Sequence, residues 1–220
     1  MTIMDWLPVI GVGILETLYM TLVSTLFAYL IGLPLGLWLV VTNPDGIRPN
    51  AAVSHIAGGI VNALRSAPFL ILLMALIPLT RIITGTSIGS TAMIPPLVIA
   101  AFPFVARMVE SSAKEVDRGV IEAALSMGSS PLQVVTKVIL PEARPSLITG
   151  ATIAITTILG YTAMAGVCGA GGLGAIAINY GYYRYQTGIM WVMVILLIVI
   201  VQIFQSIGNW LAFRCDRRIR

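Results

Sequence analysis

Four long stretches of this sequence, residues 17–44, 82–106, 145–183 and 185–213, contain no charged residue. Each is long enough for the roughly 20 apolar residues that cross a bilayer as helix. A fifth stretch, 66–80, is shorter but extends backwards past Arg65 into Ile60 and Val61. The whole chain is 58% hydrophobic and 10% charged, against about 25% charged residues in a soluble domain. Such a chain cannot cover itself with water-facing side chains, so its solvent is lipid. The pattern predicts an all-α, polytopic membrane protein. Its five transmembrane helices lie at approximately 13–41, 56–79, 91–109, 146–167 and 189–213, in one domain covering 1–220.

A cleaved leader is the poorer reading of the N-terminus, which lacks a basic n-region and stays apolar to Val41. Cys168 and Cys215 flank the last span and carry no redox or metal signal, and one histidine, His55, cannot build a metal site alone. Lys and Arg set the orientation. Arg48, Arg107, Lys114, Arg118, Lys137, Arg144 and the tail Arg214, Arg217, Arg218 and Arg220 fall on one side, Arg81 and Arg184 on the other. The basic side is cytoplasmic, so the C-terminus and the 110–145 loop are expected inside and the N-terminus outside. Tyr180, Tyr182, Tyr183 and Tyr185 then form an aromatic belt at the outer interface.

The half-polar stretch from Glu122 to Pro145 stands apart. Asp117 is placed to cap a helix through Val120, Ile121, Ala124 and Leu125, and Gly128 to end it. Ser130 as N-cap, Pro131 at the first helical position and Gln133 two residues later spell a capping box. Leu132, Val135 and Ile139 fall on one face of this second helix, and Pro141 is expected to stop it. Three readings of the two helices are open. They form an amphipathic loop packed on its own bundle, a DNA-binding helix-turn-helix, or a knob docking into a partner's groove. The second helix has one cation, Lys137, and no arginine, which counts against phosphate or guanine contacts. A nucleic-acid partner is therefore not expected. The small residues Ala123, Ala124 and Gly128 suit burial in a pocket.

Here the chain resembles the permease subunits of ABC importers. Their cytoplasmic loop reads E-A-A, three residues, G, nine residues, I, one residue, L-P. Glu122, Ala123, Ala124, Gly128, Leu140 and Pro141 match at that spacing, and Val138 stands where the family has isoleucine. "ETLYMTLVSTLFAYLIGLPLGLWL" and "LRSAPFLILL" look like the first and second spans of amino-acid importer permeases. "GVCGAGGLGAIAINYGYYRY" most resembles the methionine importers. The resemblance implies a type I importer architecture, with residues 117–143 as a coupling loop seated on a separate ATP-binding subunit. It also implies a bacterial inner-membrane location and a set of partners: a second copy, two such ATPases and an external substrate-binding lipoprotein, besides membrane lipid. ATP and Mg would be held by the partner, and this chain would itself be no enzyme and hold no cofactor or metal. In keeping with that, neither Lys114 nor Lys137 follows a G-x-x-x-x-G-K-[ST] loop.

Other residues are read against simpler accounts. Arg65, toward a span end, is expected to snorkel to the interface, with a gating role as the sharper alternative. Pro68 is expected to kink span two just beyond it. Glu110 and Lys114 read as a pair four apart on a solvated helix end, and Glu16 as reaching the interface. Gly166, Gly169, Gly171, Gly172 and Gly174 form a flexible outer segment, serving either a tight turn and close packing or a mobile gate or landing for the binding protein. Tyr161 and Met164 are candidate gate residues at the end of span four. The hydroxyls of Ser146, Thr149, Thr152, Thr156 and Thr157 are expected to bond the helix backbone rather than line a path. The competing function, an ion-coupled secondary amino-acid transporter, needs a carboxylate inside the spans and inverted repeats. Neither is evident.

Overall fold

The computed structural model describes the backbone of residues 3–215 and the side chains of residues 6–215. Arg217, Arg218 and Arg220 of the basic tail lie outside the described residues. All regular structure among the described residues is helical. Long helices are α1 (Ile3–Thr42), α5 (Ile94–Lys114), α9 (Arg144–Ala165) and α11 (Thr187–Cys215). Each is long and apolar enough to cross a membrane. Between them lie α2 (Ala51–Ser66), α3 (Phe69–Ala75), α4 (Ile77–Thr84), α6 (Arg118–Ser126), α7 (Pro131–Val134), α8 (Leu140–Glu142) and α10 (Gly172–Ile176).

The second span is broken rather than kinked. Helix α2 stops at Ser66 and α3 restarts at Phe69, and α2 with α3 counts as a fifth span only if the bent pair is taken together. Pro68, at φ −59° and ψ 126°, is extended, and the residue before a proline is itself pushed out of the α region. Two successive residues thus resist helix, so the chain stops and restarts. Elsewhere several hydroxyls inside the helices are satisfied locally, although those of Ser24 and Thr80 are buried without a partner. Thr17, Thr21, Thr25 and Thr42 each donate to the carbonyl four residues back, at 2.7–2.8 Å. In hydrocarbon this bonding removes the cost of an unpaired hydroxyl.

The chain forms two compact units. The first holds residues up to Phe27, Ala67–Ala101 and Ile155–Gln205. Its core packs Met20, Phe69, Leu73, Met93 and Leu97 with Ala165 and Ala170, and a second cluster joins Leu173, Ile176, Ala177 and Met193. The glycine-rich segment is tightly fitted here rather than loose. Gly169, Gly171 and Gly172 have φ of +84°, +84° and +75°, the left-handed region that glycine enters without steric cost. A Cβ on Gly166 would collide with the Ala175 backbone, and one on Gly174 with the Ala163 backbone.

Glu16 does not project free but turns onto the glycine-rich segment. Its Oε2 accepts from the Gly172 N–H at 2.6 Å, while Thr17 Oγ1 accepts from the Leu173 N–H at 2.9 Å. The free amides opening α10 draw both side chains inward. Tyr180 also departs from a simple belt: it packs edge-on against Trp6 at 4.8 Å, under the Arg184 guanidinium. Tyr182, Tyr183 and Tyr185 remain exposed.

The second unit holds Ala28–Ser66, Phe102–Ala154 and the residues from Ser206 on. Here α1 lies close against α5 through Gly32 and Gly36. A Cβ on Gly32 would lie 2.8 Å from Val105 Cβ, and one on Gly36 2.5 Å from the Ala106 carbonyl. Small residues four apart allow backbones this close.

Candidate functional site

The bent stretch after α5 is built as its local sequence dictates. The Asp117 carboxylate accepts from the Gly119 N–H at 2.7 Å and caps α6. At the far end Gly128 has φ +82°. Its N–H donates to Leu125 O at 2.9 Å, and the Ser129 N–H donates to Ala124 O at 3.1 Å. Those two bonds make a Schellman turn, which satisfies carbonyls the helix end would leave free. Ser130 then opens α7. Its Oγ accepts from the Gln133 N–H at 3.3 Å, and Gln133 Oε1 accepts from the Ser130 N–H at 2.8 Å. Both bonds of the capping box are present.

Pro141 does not stop the second helix. From Val134 the chain enters a π turn, Val135–Ile139, and continues through α8 to Glu142. A proline in an α-helix clashes with the carbonyl four residues back and lacks the N–H to bond it. The extra residue in a π turn relieves that conflict, the Leu140 N–H bonding Val135 O instead. The inner face changes with it. Val134, Val135 and Ile139 are buried with Ala113, Val116, Ala124 and Ala143. Leu132 is not on that face; it is 73% exposed. It precedes Val134 by two residues, about 200° around a helix, so the same packing that buries Val134 turns Leu132 out.

The seven residues of the sequence motif divide by role. Ala124 is buried, and Val138, Leu140 and Pro141 are half-buried, so these hold the stretch against its own unit. Glu122, Ala123 and Gly128 are exposed. Beside them stand Met127, 80% exposed, and Leu132. The motif spacing does not include these two. Their signal in the sequence is position alone: each lies within three residues of the Gly-Ser-Ser-Pro corner. Glu122 and Leu125 also line a cleft of about 500 Å³ with Asn43, Asp45 and Ile47 of the α1–α2 loop. Asp45 and Arg118 form an exposed ion pair at 3.5 Å across it, a contact worth at most about 1 kcal/mol.

The candidate gate residues fall in both units. Tyr161, in α9, stacks flat on Phe69, with centroids 4.2 Å apart and planes 4° from parallel. Met164, one turn on, is 53% exposed. Arg65 belongs to the second unit and is exposed at the end of α2. Glu110 is not solvated, being only 6% exposed. It pairs with Arg107 at 2.5 Å and Lys114 at 2.7 Å. Arg107 also donates to Gly58 O and Asn62 Oδ1, both at 3.0 Å, so the charge cluster ties α5 to α2. The hydroxyls of Thr149 and Thr152 bond carbonyls four residues back, and Ser146 Oγ donates to Ser112 Oγ at 3.0 Å.

Comparison with known proteins agrees with this architecture. The probable D-methionine transport system permease protein MetI of Vibrio cholerae is 49% identical over 92% of this chain and 90% of its own length. The D-methionine transport system permease protein MetI of Escherichia coli is 52% identical over 74% of each chain. A chain from an inward-facing conformation of the MetNI methionine ABC transporter superposes with a TM-score of 0.96. It is 46% identical, and the match covers 99% of this chain and 100% of that one. A chain of an amino acid ABC transporter solved with histidines shares the fold at a TM-score of 0.75 and 22% identity, over 97% and 100% of the two chains. Residues 32–217 match the family described as binding-protein-dependent transport system inner membrane component. The helix-built membrane chain with its bent stretch at residues 117–143 belongs to that family of ABC transporter permeases.

Proposed function

We propose that this chain forms the translocation path for methionine in an ATP-driven importer of the bacterial inner membrane. It does so as one transmembrane domain covering 1–220, with five spans and the coupling loop 117–143. Two copies enclose the path, two separate ATP-binding subunits hold ATP and Mg and perform the hydrolysis, and an external lipoprotein delivers the ligand. The N-terminus lies outside and the C-terminus in the cytoplasm. The chain itself makes and breaks no bond.

One observation carries this reading. The bent stretch is rigidly capped at both helix ends and anchored by a buried inner face, yet it turns Met127 and Leu132 outward at its corner. Such a protrusion has little freedom left to lose on docking, so burial in a partner's groove is favoured. Glu122, Ala123 and Gly128 enter the groove with them. Ala124, Val138, Leu140 and Pro141 transmit the push to the spans. When the ATPases close, the two loops approach and the spans repack to open outward. Separation after hydrolysis reverses this, a shift between two packings driven by differential binding. Met164 is the gate residue, a flexible apolar side chain one turn beyond Tyr161 on α9, and half exposed. Arg65, exposed at the end of α2, is read as snorkelling to the interface, the gating role being the alternative.

The test is co-purification of the chain with its candidate ATP-binding subunits, followed by ligand-dependent ATP hydrolysis in membranes. Gly128→Trp adds bulk at the corner and strains a positive φ. Gly128→Asn, which tolerates that φ, controls for the strain. The expected result is loss of co-purification and of methionine uptake with Trp and retention with Asn. Unchanged assembly and uptake in Gly128→Trp overturn the docking role.

A further inference from the structure

The second unit contains an open cleft of about 360 Å³ lined by Arg65, Arg107, Lys114, Glu110, Phe104 and Met108, with Ser111 at its edge. Its charge is unbalanced: three cations face one carboxylate, and Glu110 already pairs with Arg107 and Lys114. Arg65 forms no ion pair or hydrogen bond among the described residues and is exposed. The Arg107 Nη groups already serve Glu110, Gly58 and Asn62, and its Nε is buried, so Arg107 offers the cleft its charge rather than a free donor. The lining is mixed along α5. Lys114 and Ser111 stand at the helix end, and Phe104, Arg107 and Met108 stand about two to three turns back inside a span-length apolar helix. Cations set beside an apolar floor match the two halves of a lipid. A soluble oxyanion has no use for the floor.

We propose that this cleft binds one anionic phospholipid, its phosphate on Arg65 and Lys114 beside the charge of Arg107, and the start of an acyl chain against Phe104 and Met108. Guanidinium groups take phosphate oxygens bidentately, and basic pockets between membrane helices on the cytoplasmic side recognise such headgroups. Glu110 sets the selectivity. It holds Arg107 and Lys114 in place and repels a second anion, so one headgroup fits. The proposal needs only the membrane placement of α5 and not the transport reading, so uptake is not its readout.

The experiment is native mass spectrometry of the full-length chain released from micelles holding equal phosphatidylglycerol and phosphatidylcholine. Wild type is expected to retain one phosphatidylglycerol in preference to phosphatidylcholine. Arg65→Gln, which removes no ion pair or hydrogen bond among the described residues, is expected to weaken that retention about five-fold. Arg65→Lys keeps most of it, and Arg184→Gln, whose cation lies over the Tyr180 ring, leaves it unchanged. Equal retention of the two lipids, or no change in Arg65→Gln, overturns the proposal. Full displacement of the lipid by millimolar inorganic phosphate also overturns it, since it marks a free-oxyanion site.

Discussion

The carboxylate of Glu16 and the backbone amide of Gly172, 156 positions apart in the chain, meet at 2.6 Å. Thr17 reaches the next amide, Leu173. One turn of α1 therefore closes the glycine-rich segment, whose backbone could not otherwise satisfy the N–H groups opening α10. Glu16→Ala is expected to cost about 1–3 kcal/mol, the range for a buried donor left unpaired. Thr17→Val, which keeps shape and removes only the acceptor, should cost about as much. Thermal unfolding in detergent measures both. A Tm within error of wild type for both variants means the segment is held by its packing alone.

Glycines of α1 and α2 should respond to alanine in opposite directions. A Cβ at Gly36 meets the Ala106 carbonyl and Val109 Cβ, at 2.5 and 2.8 Å. Backbone cannot swing away as a side chain can, so Gly36→Ala is expected to destabilise by about 1–3 kcal/mol. Gly59 has nothing within 4 Å of its built Cβ and lies inside α2. Gly59→Ala is expected to stabilise by about 0.5–1 kcal/mol, through helix propensity. Parallel Tm measurements decide it; an unchanged or raised Tm in Gly36→Ala contradicts the close α1–α5 contact.

The capping box makes a local claim. Ser130→Ala removes the acceptor for the Gln133 N–H and is expected to cost about 1 kcal/mol. Hydrogen exchange should show faster exchange at the Gln133 amide, and Ser130→Asp should restore protection. Unaltered exchange at Gln133 in the alanine variant shows that the cap does not hold the corner.

Legibility followed distance along the chain. Asp117, Gly128, Ser130 and Gln133 act on amides and carbonyls within five residues, so their spacing alone specified caps and corner. Absence of charge likewise marked the long helices, because solvent choice is a property of composition. Glu110 illustrates the opposite case. Its spacing to Lys114 was visible, but its burial depends on Arg107 reaching Gly58 and Asn62, 49 and 45 positions away. Proline was legible as a disturbance and not as an outcome. Pro68 breaks a helix and Pro141 is absorbed by a π turn, the difference lying in whether the neighbouring turn can widen. Gly32 and Gly36 show the small-residue spacing openly, yet Gly11 and Gly160 have nothing within 4 Å. Glycine alone does not say where a helix is approached.

The division of the bent stretch into an outward corner and an inward anchor leads to the sharpest expectation. Met127 and Leu132 are exposed and belong to no core cluster, while Val134 and Ile139 are fully buried. Met127→Ser with Leu132→Ser is expected to leave stability within about 0.5 kcal/mol of wild type, and Tm nearly unchanged, as exposed positions do. The same pair should abolish co-purification with the ATP-binding subunits, since apolar anchors in a docking pocket carry most of its energy. Ile139→Ala should do the reverse at first reading. It empties a packed site at a cost of about 2–5 kcal/mol, lowers Tm, and weakens assembly only in proportion to the folded fraction. Measuring Tm and co-purification on the same samples separates the two effects. If the double serine variant assembles normally, the corner is a packed loop of its own unit and the partner contact lies elsewhere.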